Sequence, residues 1–220
     1  REFEVDPIWK QHPIYQSERY KEYKRNWKKA AKGEYLSDFP LNIEVEPTYY
    51  CNLKCPFCPR FVAHGERQDK HMKKEIWGHI IEECSKNNLP SMQMDHEAES
   101  LMNPKFFEYL EDTKKAGILE TWLHSNGNMV NEKNARKLIQ GGLKRINFSI
   151  DAFKKETYDK LRVGGKYEKV INNVLNFLKI KEELNASYLR VRVSFLEQKE
   201  NFLEKKEFFN FWSKQKGINT

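Results

Sequence analysis

The sequence contains no apolar run approaching the roughly 18 residues that cross a bilayer, which argues against a helical membrane protein. Its opening residues, Arg1-Glu2-Phe3-Glu4, lack the apolar core of a secretory leader. Cysteine is scarce: there are four in 220 residues, and three of them fall within eight positions. A secreted disulfide scaffold spreads its cysteines through a small domain, so this clustering points instead to thiols that bind metal in a reducing compartment. These features together are those expected of a cytoplasmic protein. No separate basic appendage of the RNA-binding kind stands out either. The net charge of +7 is carried by helical faces such as 21–32, which read as solvated surface. Nucleic acid is therefore not the favoured partner, whereas an anionic substrate or an acidic reductant suits the charge.

What the sequence does contain is a regular alternation of strand and helix signals. Residues 1–40 form a polar, helical extension in which Tyr20, Tyr23 and Trp27, spaced by three and four, share one helix face that is expected to dock on the main domain. Gly33 and Pro40 end it. From residue 41 onward, strands are expected at 41–46, 90–95, 119–125, 145–151 and 188–196. Helices are expected at 73–86, 104–116, 131–140, from the Gly164-Gly165 break to 183, and at 201–216. Asn131 caps the third of these and Gly141-Gly142 stops it. Connections this short imply parallel strands with right-handed crossovers, in a barrel or an open doubly wound sheet. The fold expected is α/β, a partial (β/α)6 TIM-type barrel over 41–220, with its active site at the carboxyl ends of the strands. A further strand would follow the fifth helix, so the sequence reads as cut before the barrel closes.

The chemistry concentrates in Cys51-Asn52-Leu53-Lys54-Cys55-Pro56-Phe57-Cys58, directly after the first strand. Three thiolates leave a structural zinc site one ligand short unless His64, His71 or Cys84 completes it. For a cubic iron-sulfur cluster, three ligands leave one iron open to bind a substrate or cofactor. Cys84 lies on the apolar side of the first core helix with Ile76, Ile80 and Ile81, and reads as a core thiol.

This cysteine pattern, with an aromatic residue before the last cysteine, resembles the hallmark of the radical S-adenosylmethionine (radical SAM) superfamily. The resemblance implies that Cys51, Cys55 and Cys58 hold a 4Fe–4S cluster, that S-adenosylmethionine is the second cofactor, and that Phe57 borders it. It also directs attention to the later strand ends. The stretch 97–104 stands where the family has a GGEP-like motif; both glycines and the proline are replaced, and Glu99 remains to receive the methionyl amine. Ser125-Asn126-Gly127 is similar to the family's TNG turn, and Ser149-Ile150-Asp151-Ala152 to its SxDG signature. Ser149 and Arg162 are the implied partners of the cofactor's carboxylate. Arg190 and Arg192 alternate with valines and so share a strand face; if that face is the barrel interior they meet cofactor or anionic substrate, and otherwise they are surface residues. Gln198 and Asn201 fall where relatives place contacts to the adenosine.

The resemblance further implies a flavodoxin or ferredoxin-type reductant and a peptide or small-molecule substrate. Members that carry a C-terminal SPASM domain, which modify peptides, enzyme side chains or sugars, are the nearest in style. The competing reading is a noncatalytic iron-sulfur or zinc module in which the metal only stabilises a loop.

Overall fold

A computed structural model describes residues 4–60 and 71–219. A 3-10 turn at Ile8–Gln11 leads into two helices, α1 (Pro13–Gln16) and α2 (Glu18–Ala30). Each starts on a side-chain cap: His12 Nδ1 accepts from the Ile14 amide, and Ser17 Oγ accepts from the Tyr20 amide at 3.3 Å. Glu18 in the first turn of α2 and Lys28 and Lys29 in the last complement the helix dipole. Tyr20 and Tyr23 are buried on the shared face, as their spacing predicts. Trp27 stays 45% exposed, because the helix has run past the body of the domain by its last turn.

Five parallel strands follow: β1 (Asn42–Glu44), β2 (Ser91–Gln93), β3 (Glu120–Ser125), β4 (Arg145–Ser149) and β5 (Arg190–Ser194). They lie side by side in chain order, every neighbouring pair parallel. A doubly wound sheet reverses its strand order at a switch point, whereas this one advances in a single direction, which is barrel winding. Between the strands lie α3 (Lys74–Lys86), α4 (Phe106–Lys115), α5 (Glu132–Gln140) and the pair α6 (Lys155–Leu161) and α7 (Tyr167–Glu183); α8 (Lys205–Trp212) follows β5.

The expected (β/α)6 count is one unit more than the five strands of the described sheet. Several elements are also shorter than expected. β2 ends at Gln93 because Asp95 turns its carboxylate onto the His124 backbone amide at 2.8 Å, where a ladder bond would otherwise form. The last helix is preceded by a 3-10 turn at Phe202–Glu204, where Glu204 accepts from the amides of Phe153 and Lys154.

Period-two alternation splits the sheet into two chemistries. Met92, Leu123, Ile146, Phe148 and Val191 are wholly buried beneath the helices. Trp77 is the central anchor of α3, stacked on Tyr109 at 4.7 Å and donating to Asp112 at 3.0 Å. Burying one such side chain contributes about 1.5–3 kcal/mol. Cys84 lies in this core as expected; Ile76, expected beside it, is half exposed because Trp77 occupies that place. The opposite face of the sheet is polar: Gln93, Trp122, His124, Arg145, Asn147 and Arg192 alternate with the core residues. That polar inner face and the loops at its carboxyl edge position the site.

The amino edge of the same face is closed by α1 and α2. Tyr15 donates its hydroxyl to the Tyr188 carbonyl at 2.7 Å, and Lys24 reaches Glu120 at 3.1 Å. Arg190 pairs with the same carboxylate and lies 4.5 Å from the Trp9 ring.

Candidate functional site

The cysteine loop leaves the carboxyl end of β1 and is held from two sides. Leu53 is buried, and the Lys54 amide donates to the Val163 carbonyl at 2.8 Å, which ties the loop to the link between α6 and α7. Gly164 in that link has φ +92° and lies so close to the loop that a Cβ would stand 3.1 Å from the Asn52 carbonyl oxygen. Within the loop, the Cys58 amide donates to the Cys55 carbonyl at 3.0 Å. Cys55 is buried, while Cys51 and Cys58 are half-buried.

On the Cys51 side, Asn126 at the end of β3 donates its side-chain amide to Asn52 Oδ1 at 2.7 Å and lies 3.9 Å from the Cys51 sulfur. The Asn126 backbone amide donates to Glu99 at 2.8 Å, and Ser125 Oγ donates to the same carboxyl at 3.0 Å. Glu99 is anchored to the cysteine loop by its own amide, which donates to the Tyr50 carbonyl at 3.1 Å. Burial pushes the Glu99 carboxyl up to about 7, against the two donors from Asn126 and Ser125 that favour its charge. The turn that supplies those donors needs glycine: Gly127 has φ +76°, and a Cβ there would sit 3.0 Å from Val170.

On the Cys55 side, the Arg162 guanidinium lies 3.8 Å from the sulfur, pairs with the Asp151 carboxylate, and sits over the Phe57 ring at 5.3 Å. Asp151 adopts a left-handed φ of 61°, and its second oxygen accepts from the Leu196 amide at 2.7 Å. Arg162 Nε is buried and makes no hydrogen bond. Ser149 and Arg192 are placed by strand register on the inner face, Ser149 beside Ser194 and Arg192 beside Asn147.

Two expectations are corrected. Arg190 faces inward like Arg192 but at the amino edge, where it is spent on Glu120 and Trp9. Asn201 is wholly buried, donating to the carbonyls of Asp151 and Leu196 at 2.8 Å each and accepting from the Gln198 amide at 2.7 Å. It shapes the Asp151 turn and does not face a ligand. Sequence reading also missed Asp95 and His124, whose side chains join across β2 and β3 on the inner face at 2.9 Å. The only available signal was that both occupy inward positions of their strands.

The donor set fits an iron-sulfur cluster. Burial pushes the Cys51 thiol up to about 11 and raises Cys55 as well, so thiolates here need a cationic partner, which iron supplies. Among the described residues, no three His, Cys, Asp or Glu side chains converge on a single-ion position. A cubane takes one sulfur per iron, so convergence is a demand only of the zinc alternative. His71 bonds Thr48 Oγ1 at 2.9 Å, Cys84 is in the core, and His64 lies outside the described residues. The flanking groups fit an amino acid moiety: a carboxyl beside Cys51 and a guanidinium beside Cys55. No helix among the described residues is long and apolar enough to cross a membrane.

The chain is 29% identical over 154 residues to a probable GTP 3′,8-cyclase of Methanocaldococcus jannaschii, covering 70% of this chain and 51% of that protein. It thus spans about half the length of the curated relatives it matches. Among solved structures, SuiB of Streptococcus suis bound to S-adenosylmethionine superposes with TM-score 0.61 at 20% identity, over 86% of this chain and 42% of that one. BtrN in complex with AdoMet and 2-DOIA superposes with TM-score 0.55 at 16% identity, over 72% and 58%. These likenesses show the fold. The sequence model of the Radical SAM superfamily matches residues 45–185, which is most of the chain and includes the cysteine loop, Glu99, Ser125, Asn126, Ser149 and Arg162. The chain therefore belongs to the radical SAM superfamily, enzymes whose cofactors are a 4Fe–4S cluster and S-adenosylmethionine.

Proposed function

We propose that this chain is the catalytic core of an enzyme that cleaves S-adenosylmethionine reductively and takes a hydrogen atom from a sugar-type or peptide substrate. The observation that carries the reading is the placement of the three-cysteine loop between a buried carboxyl, Glu99, and a buried guanidinium, Arg162. When bound, the cluster and S-adenosylmethionine supply a one-electron break of the sulfonium bond, giving methionine and a 5′-deoxyadenosyl radical.

The chain's own residues do the rest. Cys51, Cys55 and Cys58 hold the cluster, and the contacts from Asn126 and Arg162 orient two of the three sulfurs. Glu99 receives the cofactor's ammonium, a charge that offsets the cost of burying its carboxylate. Ser125 and the Asn126 amide hold Glu99 in place, so both are positioning residues. Arg162, with Ser149, receives the cofactor's carboxylate, and Phe57 shields that side from water. Arg192 contributes positive charge to the inner face, which suits an anionic group on substrate or cofactor.

Among the two substrate classes, a sugar is favoured by the inner face itself, where Gln93, Asn147 and His124 offer hydrogen bonds around the Trp122 ring. The name of the curated relatives specifies the 3′ position of GTP, a ribose carbon, which supports the same class. The net charge of +7 supports an acidic flavodoxin or ferredoxin-type electron donor.

Anaerobic reconstitution with iron and sulfide, reduction, and assay for 5′-deoxyadenosine test the reading. A full cluster with S-adenosylmethionine-dependent 5′-deoxyadenosine is expected. A full cluster with none of that product leaves a noncatalytic iron-sulfur module. Adding GTP is the first substrate probe, read as 5′-deoxyadenosine formed above the substrate-free level.

A further inference from the structure

One pair on the inner face is not used by the cofactor-binding scheme. Asp95, almost fully buried, accepts from the His124 backbone amide at 2.8 Å and meets its ring Nδ1 at 2.9 Å through the other oxygen; Gln93 approaches that second oxygen at 3.4 Å. The His124 side chain is nevertheless 40% exposed. Its backbone neighbour Leu123 points into the core, so the imidazole lies on the opposite, chamber side of β3. Across the sheet it is in register with Asn147, and Asn147 with Arg192, so Asp95, His124, Asn147 and Arg192 form one layer. Trp122, one layer nearer the amino edge, contacts the imidazole edge-on at 5.4 Å and carries the Arg145 guanidinium on its face at 3.8 Å.

A carboxylate can only accept, so the ring that bonds Asp95 carries its proton on Nδ1 when neutral. That leaves the Nε2 lone pair as a base, and no described hydrogen bond occupies it. An aspartate that only stabilised the strand end would be served by the backbone amide bond. The second bond, to the ring, fixes tautomer and orientation, as the acid does in a nucleophile-base-acid triad.

We propose that His124 is a proton-transfer residue for the substrate and that Asp95 is the residue that positions it. The proposal rests on the reading of this chain as a radical SAM catalytic core. Once a hydrogen atom has been taken from a substrate carbon bearing a hydroxyl, that hydroxyl becomes far more acidic than in the parent alcohol. His124 Nε2 takes its proton; the O–H electron pair stays on the oxygen, the unpaired electron stays on the substrate, and imidazolium forms against Asp95. No oxidant is consumed in this step: it yields the ketyl radical anion of the substrate and the imidazolium, which returns its proton to solvent. Around it lie Asp95, just past the end of β2 and bonded to the ring, with Glu99 beyond Asp95; Arg145, on the Trp122 ring that the imidazole touches; and Arg192, two strands away in the same register.

The test compares wild-type, His124→Phe and Asp95→Asn proteins, each with a reconstituted cluster, and adds imidazole 15N NMR on the cluster-free chain. His124→Phe is first checked for a full cluster and for 5′-deoxyadenosine formed without substrate. With GTP as probe, its nucleotide product should fall by about 100-fold or more. Asp95→Asn should shift His124 from the Nδ1–H to the Nε2–H tautomer, with a smaller loss of product. Full product from His124→Phe overturns the proposal. So does an Nε2–H tautomer in wild type, a readout that decides the matter even where GTP gives no product. A full cluster that makes no 5′-deoxyadenosine in any of the proteins fails the parent reading instead, and is told apart by the wild-type control.

Discussion

The two edges of the inner sheet face use the same residue types in opposite ways. At the amino edge, cations are crowded together: Lys24 and Arg190 both reach Glu120, with Arg145 nearby. Burial, followed by the repulsion of Arg190 and Arg145, pushes Lys24 down to about 7. At the carboxyl edge it is the acids that are stranded, with Glu99 pushed up to about 7 and Cys51 to about 11 by burial. The first edge is relieved by a protein carboxylate and sealed by tyrosines. The second sets Arg162 beside Cys55 and the donors of Asn126 and Ser125 on Glu99, and still leaves Glu99 and Cys51 raised. One edge is thus an interior that turns its cations onto a protein carboxylate, and the other gathers acid and thiol groups around the cysteine loop.

The largest separation between the edges should come from cysteine. Cys55→Ser is expected to abolish cluster binding, and with it 5′-deoxyadenosine, to below about one-thousandth of wild type. Iron content, visible absorbance and product are the readouts, and a full cluster in the variant would break the assignment. Glu120→Gln at the other edge should do the reverse. It leaves the half-buried Lys24 and Arg190 without their carboxylate, a loss of about 2 kcal/mol in urea unfolding, while the cluster still assembles. Because Lys24 loses its proton near pH 7, the deficit should be greater at pH 6 than at pH 8.

Glu99 provides the pH-dependent contrast. Its folded value of about 7 lies above the ordinary 4.5, so the unfolded chain releases this proton first as pH rises. In the cofactor-free chain Glu99 therefore costs nothing below pH 4.5, and removes up to about 3 kcal/mol progressively as pH climbs to 7. Glu99→Gln still accepts from Ser125 and Asn126, so it should flatten that slope and be the more stable protein above pH 7. It should also bind S-adenosylmethionine about tenfold or more weakly, having lost a charge-assisted bond. Melting curves from pH 5 to 8 for the two proteins check the first part, and equilibrium dialysis the second. Identical slopes would mean that Glu99 is hydrated in solution.

How much of this could be read in the sequence follows the same division. The strand-helix alternation and the cysteine loop are local patterns, and both were legible. Glu99 was found only as the survivor of a degraded motif. What could not be seen is that Ser125, 26 residues on, would turn its hydroxyl onto Glu99. Arg190 and Arg192 have the same periodicity, and nothing local says that two residues of rise separate a sealed edge from an open chamber. Asn201 read as a ligand contact because relatives place contacts to the adenosine at that point; its burial against the Asp151 turn depends on a fold-wide approach. The Asp95–His124 pair is of the same kind, two inward residues whose meeting is set by strand register.

The smallest effect expected is also the cleanest check that the amino edge is only a seal. Tyr15 is buried and pushed by that burial to about 12, so it is a neutral donor throughout the working range. Its hydroxyl bonds the Tyr188 carbonyl immediately before β5, stitching α1 to the strand that carries Arg190 and Arg192. Tyr15→Phe keeps the ring and its edge contacts with Trp9 and Tyr20, at 4.9 Å each, and removes the bond to Tyr188 and a longer one, 3.4 Å, to the Lys144 carbonyl. The cost should be about 1 kcal/mol in urea unfolding, since a neutral bond to a carbonyl that can be rehydrated contributes no more. The cluster, S-adenosylmethionine affinity and substrate-free 5′-deoxyadenosine should be unchanged, because Tyr15 bonds carbonyls that precede β4 and β5, at the edge opposite Cys51, Glu99 and Arg162. A Tyr15→Phe protein that unfolds normally but cleaves S-adenosylmethionine tenfold more slowly would show that the floor of the chamber is coupled to its mouth, and the contrast between the two edges would have to be redrawn as a single network.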